Sequence, residues 1–237
     1  MKLTDKDEYR VEREELLDAV NFEGGEWVCN TDRAAVVKVN GMHKCVLADY
    51  SEFDGIVPSL AGVGGVCALG APIDLPKRLG VVAAPCKTYA YLEPMPPVCE
   101  LPSGVAIKRL APSLAAFVAE SYHNPYGGYT AEETGRLMRE KGVFGAIADG
   151  RLAGFIGRHF DGNMGMLEVF EPFRRRGIGA ALERFLITYI MTFSRTPIGD
   201  VYADNVGSLA LQRKIGMTEA KAYTFWFDLQ NRACSEG

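Results

Sequence analysis

The stretch from Met164 to Phe193 restricts the fold more than any other part of this chain. Met164 to Phe170 reads as a strand and runs directly into Glu171-Pro172-Phe173-Arg174-Arg175-Arg176-Gly177-Ile178-Gly179. Ile178, Leu182, Phe185, Leu186, Tyr189, Ile190 and Phe193 then recur at helical spacing. Strand, turn and long helix are contiguous, which predicts a mixed α/β domain. The turn carries a chemical expectation as well. The first amides of a helix have no carbonyl partner and attract anions, most strongly where residues such as Gly177 and Gly179 let a phosphate approach the backbone. With Arg174, Arg175 and Arg176 beside them, a pyrophosphate is the natural ligand for Arg175 through Ala180. For this motif alone, a solvated basic turn is the competing reading.

The flanking sequence agrees with an α/β domain. Val105 to Arg109 reads as a strand, and Ser113 to Tyr122 and Ala131 to Glu140 as helices, the second capped by Thr130. Val143 to Ala148, Leu152 to Phe160 and Met164 to Phe170 are separated by Asp149-Gly150 and Asp161-Gly162, which predicts a three-stranded antiparallel meander. Pro197 is expected to end the long helix. Ile198 to Ala203 then returns as a strand, Val206 to Ile215 as a helix, and Tyr223 to Leu229 as a closing strand.

Three prolines in Glu93-Pro94-Met95-Pro96-Pro97 favour an extended linker, so the domain boundary is drawn there, with residues 1–97 as an N-terminal α+β domain and 98–237 as the second domain. In the first, Thr4 is expected to cap a helix over Asp5 to Val20. Ala34 to Val39 and Lys44 to Ala48 form a hairpin around Asn40-Gly41, and Lys87 to Leu92 is a strand. Gly62 to Gly70 lacks the Gly-Lys-Ser/Thr ending of a phosphate loop and reads as a Gly-rich turn leading into a short strand.

Composition narrows the partners. The chain has 237 residues, 48% of them apolar and 24% charged, enough for a real core. Lys and Arg total 26 against 30 Asp and Glu, so there is no global cationic field to hold nucleic acid or an anionic membrane. No run is long enough to span a bilayer and the N-terminus lacks a signal-peptide pattern, so a soluble cytoplasmic protein is expected. The six cysteines show no Cys-x-x-Cys pair and no neighbouring His at ligand spacing; reduced thiols and no metal are expected.

A second motif joins the first: Asn205, Ser208 and Gly216 match Asn-x-x-Ser with a Gly ending about eight residues on, Met217 standing where an aromatic is usual. With Arg174, Gly177 and Gly179 in Arg-x-x-Gly-x-Gly after a strand, the chain from about Gly104 to Leu229 resembles the GNAT superfamily of N-acyltransferases. Met164 to Phe170 with its Arg-rich loop looks closest to the glycine N-acyltransferase-like branch. There, an N-terminal half often repeats the fold in degenerate form without a cofactor loop, and the hairpin-rich segment before Pro94 is compatible with that.

The resemblance implies acetyl-CoA or another acyl-CoA as cosubstrate. Arg174, Arg175, Arg176, Gly177, Ile178, Gly179 and Ala180 would hold its phosphates. The backbone at Leu167 to Val169 would pair with the pantetheine arm like an added strand, and Asn205 and Ser208 would complete the site. The thioester would lie in the opening between that strand and Ile198 to Ala203, where a primary amine of a small molecule or amino acid attacks it. A homodimer is left open.

The candidate catalytic residues are Glu168, His159 and Ser208. Alternation puts Glu168 opposite Leu167 and Val169, where an exposed structural carboxylate is the plainer expectation. His159, like His123, is as well explained by a surface or hydrogen-bonded structural role. Asn205 or Ser208 could equally cap the following helix. Related enzymes often place a tyrosine acid four residues after the Ser, but this chain has Gln212 there, which cannot donate a proton as an acid. That departure keeps a second function in view, a non-catalytic acyl-CoA sensor or scaffold. The loop from His123 to Tyr129 is where acceptors would enter, and its tyrosines could stack on or hydrogen-bond one.

Overall fold

The computed structural model describes residues 1–60, 64–125 and 127–231. Contacts divide the chain into two compact units, Met1–Ala90 together with the chain from Ile198 onward, and Tyr91–Pro197. Packing thus divides the chain differently from the linear cut at Pro97, because strands formed after Pro197 hydrogen-bond to strands formed before Ala90.

In chain order the first unit supplies α1 (Arg10–Phe22), β1 (Glu26–Asn30), β2 (Ala34–Val39), β3 (Met42–Leu47), α2 (Phe53–Ile56), β4 (Gly65–Ala71), α3 (Leu75–Leu79) and β5 (Cys86–Ala90). The second unit supplies β6 (Val105–Arg109), α4 (Ala115–Ser121), α5 (Ala131–Glu140), β7 (Val143–Ala148), β8 (Arg151–Arg158), β9 (Met164–Val169) and α6 (Ile178–Met191). The chain then returns to the first unit with β10 (Ile198–Tyr202), α7 (Val206–Ile215), β11 (Thr218–Glu219) and β12 (Tyr223–Asp228).

Two hairpins form where the dipeptides demanded them. Asn40 and Gly41 have φ 48° and 77°, and Asp149 and Gly150 have φ 53° and 72°, the left-handed pair of a two-residue turn that matches strand twist. Thr130 and Glu133 complete the reciprocal capping box of α5. Two helix ends differ from expectation. Thr4 is buried and its hydroxyl donates to Asn30 Oδ1 at 3.2 Å, so it caps nothing; two 3-10 turns precede α1 instead. α6 stops at Met191 rather than at Pro197, with Ser194 already left-handed at φ 56°.

In the first unit the strand order is β1-β2-β3-β4-β12-β5-β10, with β11 beside β5. β3 and β4 are parallel, and the other pairs are antiparallel. Ala35, Val37, Val46, Cys67 and Leu69 pack on one face with Leu16 and Ala19 of α1, while Val36, Cys45, Ala68 and Phe225 pack on the other with Phe53 of α2. β12 inserts between β4 and β5, so a strand from the end of the chain completes the N-terminal sheet.

The second unit is an antiparallel sheet, β6-β7-β8-β9. Val143, Phe155 and Met166 turn one face toward Val118 of α4 and Leu137 and Met138 of α5. On the other face Phe144 meets Phe185 and Tyr189 of α6 edge-on, with centroids 5.0 and 4.8 Å apart. The predicted meander and long helix are therefore the two layers that carry β9. Among the described residues no helix is long and apolar enough to cross a membrane.

Candidate functional site

β9 is not a regular strand. Gly157 pairs with Gly165 and Phe155 with Glu168, so two residues, Met166 and Leu167, oppose the single residue Ile156. Met166 takes φ 54°, and the result is a β-bulge. A bulge leaves backbone out of the ladder and turns the strand beyond it. Leu167 and Val169 are half-buried on β9, as placed by the sequence.

Beyond β9 a 3-10 turn, Glu171–Phe173, leads to Arg174 and then to left-handed backbone at Arg175 (φ 63°) and Gly177 (φ 79°). Such conformations make successive N–H groups converge into an anion-binding concavity. Gly177 is the N-cap of α6 and has no side chain with which to cap it, so the amides of Ile178, Gly179 and Ala180 have no side-chain acceptor. A residue with a Cβ at Gly177 would resist that φ. Ile178 is buried, whereas Gly179 and Ala180 are half-buried and Arg174 to Gly177 exposed.

The three arginines do different things. Arg174 folds back on β9, its Nε donating to the Val169 carbonyl at 2.8 Å and Nη2 to Glu168 Oε1 at 3.3 Å. Arg176 makes a forked contact with Asp149, both nitrogens at 3.2 Å, and lies over Phe173. Among the described residues Arg175 has no carboxylate partner, so it is the arginine whose charge is available to a ligand.

Glu168 is 9% exposed, contrary to the exposed carboxylate expected from alternation. Its face of β9 is covered where α4 ends: Glu168 Oε2 accepts from the His123 N–H at 3.4 Å and meets His123 Nδ1 at 3.3 Å. Beside it the Tyr122 phenol is held protonated, its pKa raised chiefly by burial and further by the Glu168 charge, against hydrogen bonds with Asn124 and the Met166 backbone. His159 follows β8, and its Nδ1 meets the Tyr129 hydroxyl at 2.7 Å. Its ring lies over Gly165, where any Cβ would collide with Nε2. The hydrogen-bonded alternative for His159 is thus the one observed.

Residues 140–226 match the family described as FR47-like protein. That match lies within the C-terminal half of the chain. Comparison with curated proteins found no match. Many solved structures resemble the chain, among them the following three. A Drosophila protein is 20% identical with a TM-score of 0.64, over 84% of this chain and 75% of its own. A GCN5-related N-acetyltransferase from Kribbella flavida is 14% identical with a TM-score of 0.56, over 94% and 95%. Another from Sphaerobacter thermophilus is 16% identical with a TM-score of 0.53, over 84% and 81%. At these identities the likeness concerns the fold.

The second motif lies in the first compact unit. Asn205 is the N-cap of α7, its Oδ1 accepting from the Ser208 N–H at 3.1 Å, so the capping role weighed for it is present. Ser208 is half-buried one turn into that helix, and Gln212 and Met217 are buried. Sequence reasoning missed the pairing of His123 with Glu168, 45 residues apart, and of Tyr129 with His159, 30 apart. The one available signal was the clustering of His123 and Tyr129 in a single loop.

Proposed function

We propose that the protein is an acyl-CoA-dependent N-acyltransferase, using acetyl-CoA or a related short acyl-CoA, that acylates a primary amine of a small molecule or amino acid. The observation that carries this is the turn from β9 into α6: left-handed backbone at Arg175 and Gly177 and an N-terminus without a side-chain cap, inside the segment that matches the FR47-like family. The pyrophosphate would sit on the amides of Ile178, Gly179 and Ala180 with Arg175 beside it. Arg174 and Arg176 hold the loop in shape.

The pantetheine arm would pair with the bulged backbone at Leu167 and Val169; the Val169 carbonyl, already bonded to Arg174, keeps a second lone pair. Amine nitrogen then attacks the thioester carbonyl, the carbon–sulfur bond breaks, and coenzyme A leaves as thiolate. Glu168 and His159 are the candidates for proton handling. The Arg-rich loop after β9 supports the glycine N-acyltransferase-like branch. The run of three antiparallel strands, helix, strand, helix, strand occurs twice, from β1 to β5 and, β11 aside, from β7 to β12, which supports a degenerate N-terminal copy.

Gln212 supports a second reading. Buried at the position where related enzymes often hold a tyrosine acid, it fits a domain that binds acyl-CoA without turning it over. Release of free coenzyme A thiol, measured with acetyl-CoA and a panel of amino acids, arylalkylamines and polyamines, tests the two. Amine-dependent release is expected; binding of acetyl-CoA without release under any amine would favour the sensor.

A further inference from the structure

We infer that His123 is the group that takes the proton from the acceptor amine, with Glu168 as its positioning residue and Arg174 linking both to the cofactor loop. The inference rests on the acyl-transfer reading above. The His123 side chain is 80% exposed, yet both its backbone N–H and its ring are tied to one oxygen of Glu168. A carboxylate can only accept, so it selects the tautomer with hydrogen on Nδ1 and leaves the Nε2 lone pair available. Glu168 itself faces inward: His123 occupies Oε2 and Arg174 occupies Oε1. The exposed imidazole is therefore the better placed of the two to meet an amine.

Among the described residues, Glu168 of β9 meets His123, Arg174 from the loop before α6 pairs with the same carboxylate, and the Tyr122 phenol from the end of α4 feels its charge. Arg174 gives the arrangement its second function. It bonds the Val169 carbonyl and Glu168 at once, so the strand backbone proposed to pair with the pantetheine arm and the carboxylate that aims His123 share one side chain. An acceptor arriving as an ammonium ion gives one proton to His123 Nε2, and the neutral amine adds to the thioester carbonyl. The tetrahedral adduct then loses the sulfur as thiolate, one of the two nitrogen protons passes to that thiolate while the other stays on the amide, and His123 returns its proton to solvent.

The test uses the full chain with acetyl-CoA and whichever amine in the panel supports thiol release. His123→Gln is expected to lower kcat about 100-fold or more while leaving the KM for acetyl-CoA unchanged. The deficit should shrink as pH rises and the amine becomes neutral unaided, and added imidazole should restore part of the rate to His123→Ala. Glu168→Gln should give a smaller loss that imidazole does not rescue. An active wild type whose His123→Gln variant turns over at the same rate, or loses activity only through acetyl-CoA binding, overturns the assignment to His123. A wild type that releases no thiol with any amine overturns the acyl-transfer reading, and this inference falls with it.

Discussion

The protein contains two strand-to-helix turns that follow an antiparallel meander, and their first amides are treated differently. After β3, Asp49 places its own carboxylate on the Ser51 N–H at 2.8 Å, and the α-helix that follows has four residues. After β9, left-handed Gly177 opens a helix of fourteen residues with no side chain on its first amides. The strands differ in the same sense. β3 pairs with β4 through five consecutive partners, from Met42 with Gly65 to Val46 with Leu69, whereas β9 is bulged at Met166 and Leu167. Where β9 holds Glu168 bonded to an exposed histidine, β3 holds Lys44 bonded to Glu15 at 2.9 Å, both 1% exposed. Element order alone thus does not distinguish the two turns; a missing cap, a left-handed turn and an interrupted ladder do.

The largest effect expected on the N-terminal side comes from that buried pair. Lys44→Met should cost about 3–5 kcal/mol in denaturant unfolding by leaving Glu15 without its ammonium partner, and Lys44→Met with Glu15→Leu should recover most of it. Neither should alter acetyl-CoA affinity, and a large affinity loss would break the contrast between the turns. Gly177→Val should cost about 1–2 kcal/mol through its left-handed φ and also weaken acetyl-CoA at least about 10-fold in titration. Thr130→Ala, which removes half of the α5 capping box, should cost about 1 kcal/mol and leave cofactor affinity intact.

The smallest effect concerns thiol chemistry. Burial pushes the Cys45 thiol up to about 12, so at pH 8, far below that value, almost no thiolate exists. Alkylation of the native protein with iodoacetamide should leave Cys45 unmodified, and its labelling at a rate comparable with the denatured chain would show that the β3 region opens readily.

What could be read from sequence was whatever local chemistry decides. Asn40-Gly41 and Asp149-Gly150 specify their turns through φ, Thr130 and Glu133 specify the start of α5, and Gly177 marks the left-handed turn into α6. Long-range pairing decided the rest. Nothing near Tyr223 says that β12 will lie between β4 and β5, and nothing near Met166 says that two residues will oppose one. Thr4 looked like a cap only because Asn30, its actual partner, is 26 residues away. Glu168 looked exposed because the period-two rule does not know that His123 and Arg174 close over it.

Isothermal titration with acetyl-CoA addresses the central claim most directly. The wild-type protein should bind it saturably, and Gly179→Asp, which adds bulk and negative charge at the first turn of α6, should abolish the heat while leaving thermal unfolding nearly unchanged. Absence of binding by the wild type, or equal binding by a folded Gly179→Asp variant, would contradict the assignment of this turn as the acyl-CoA site.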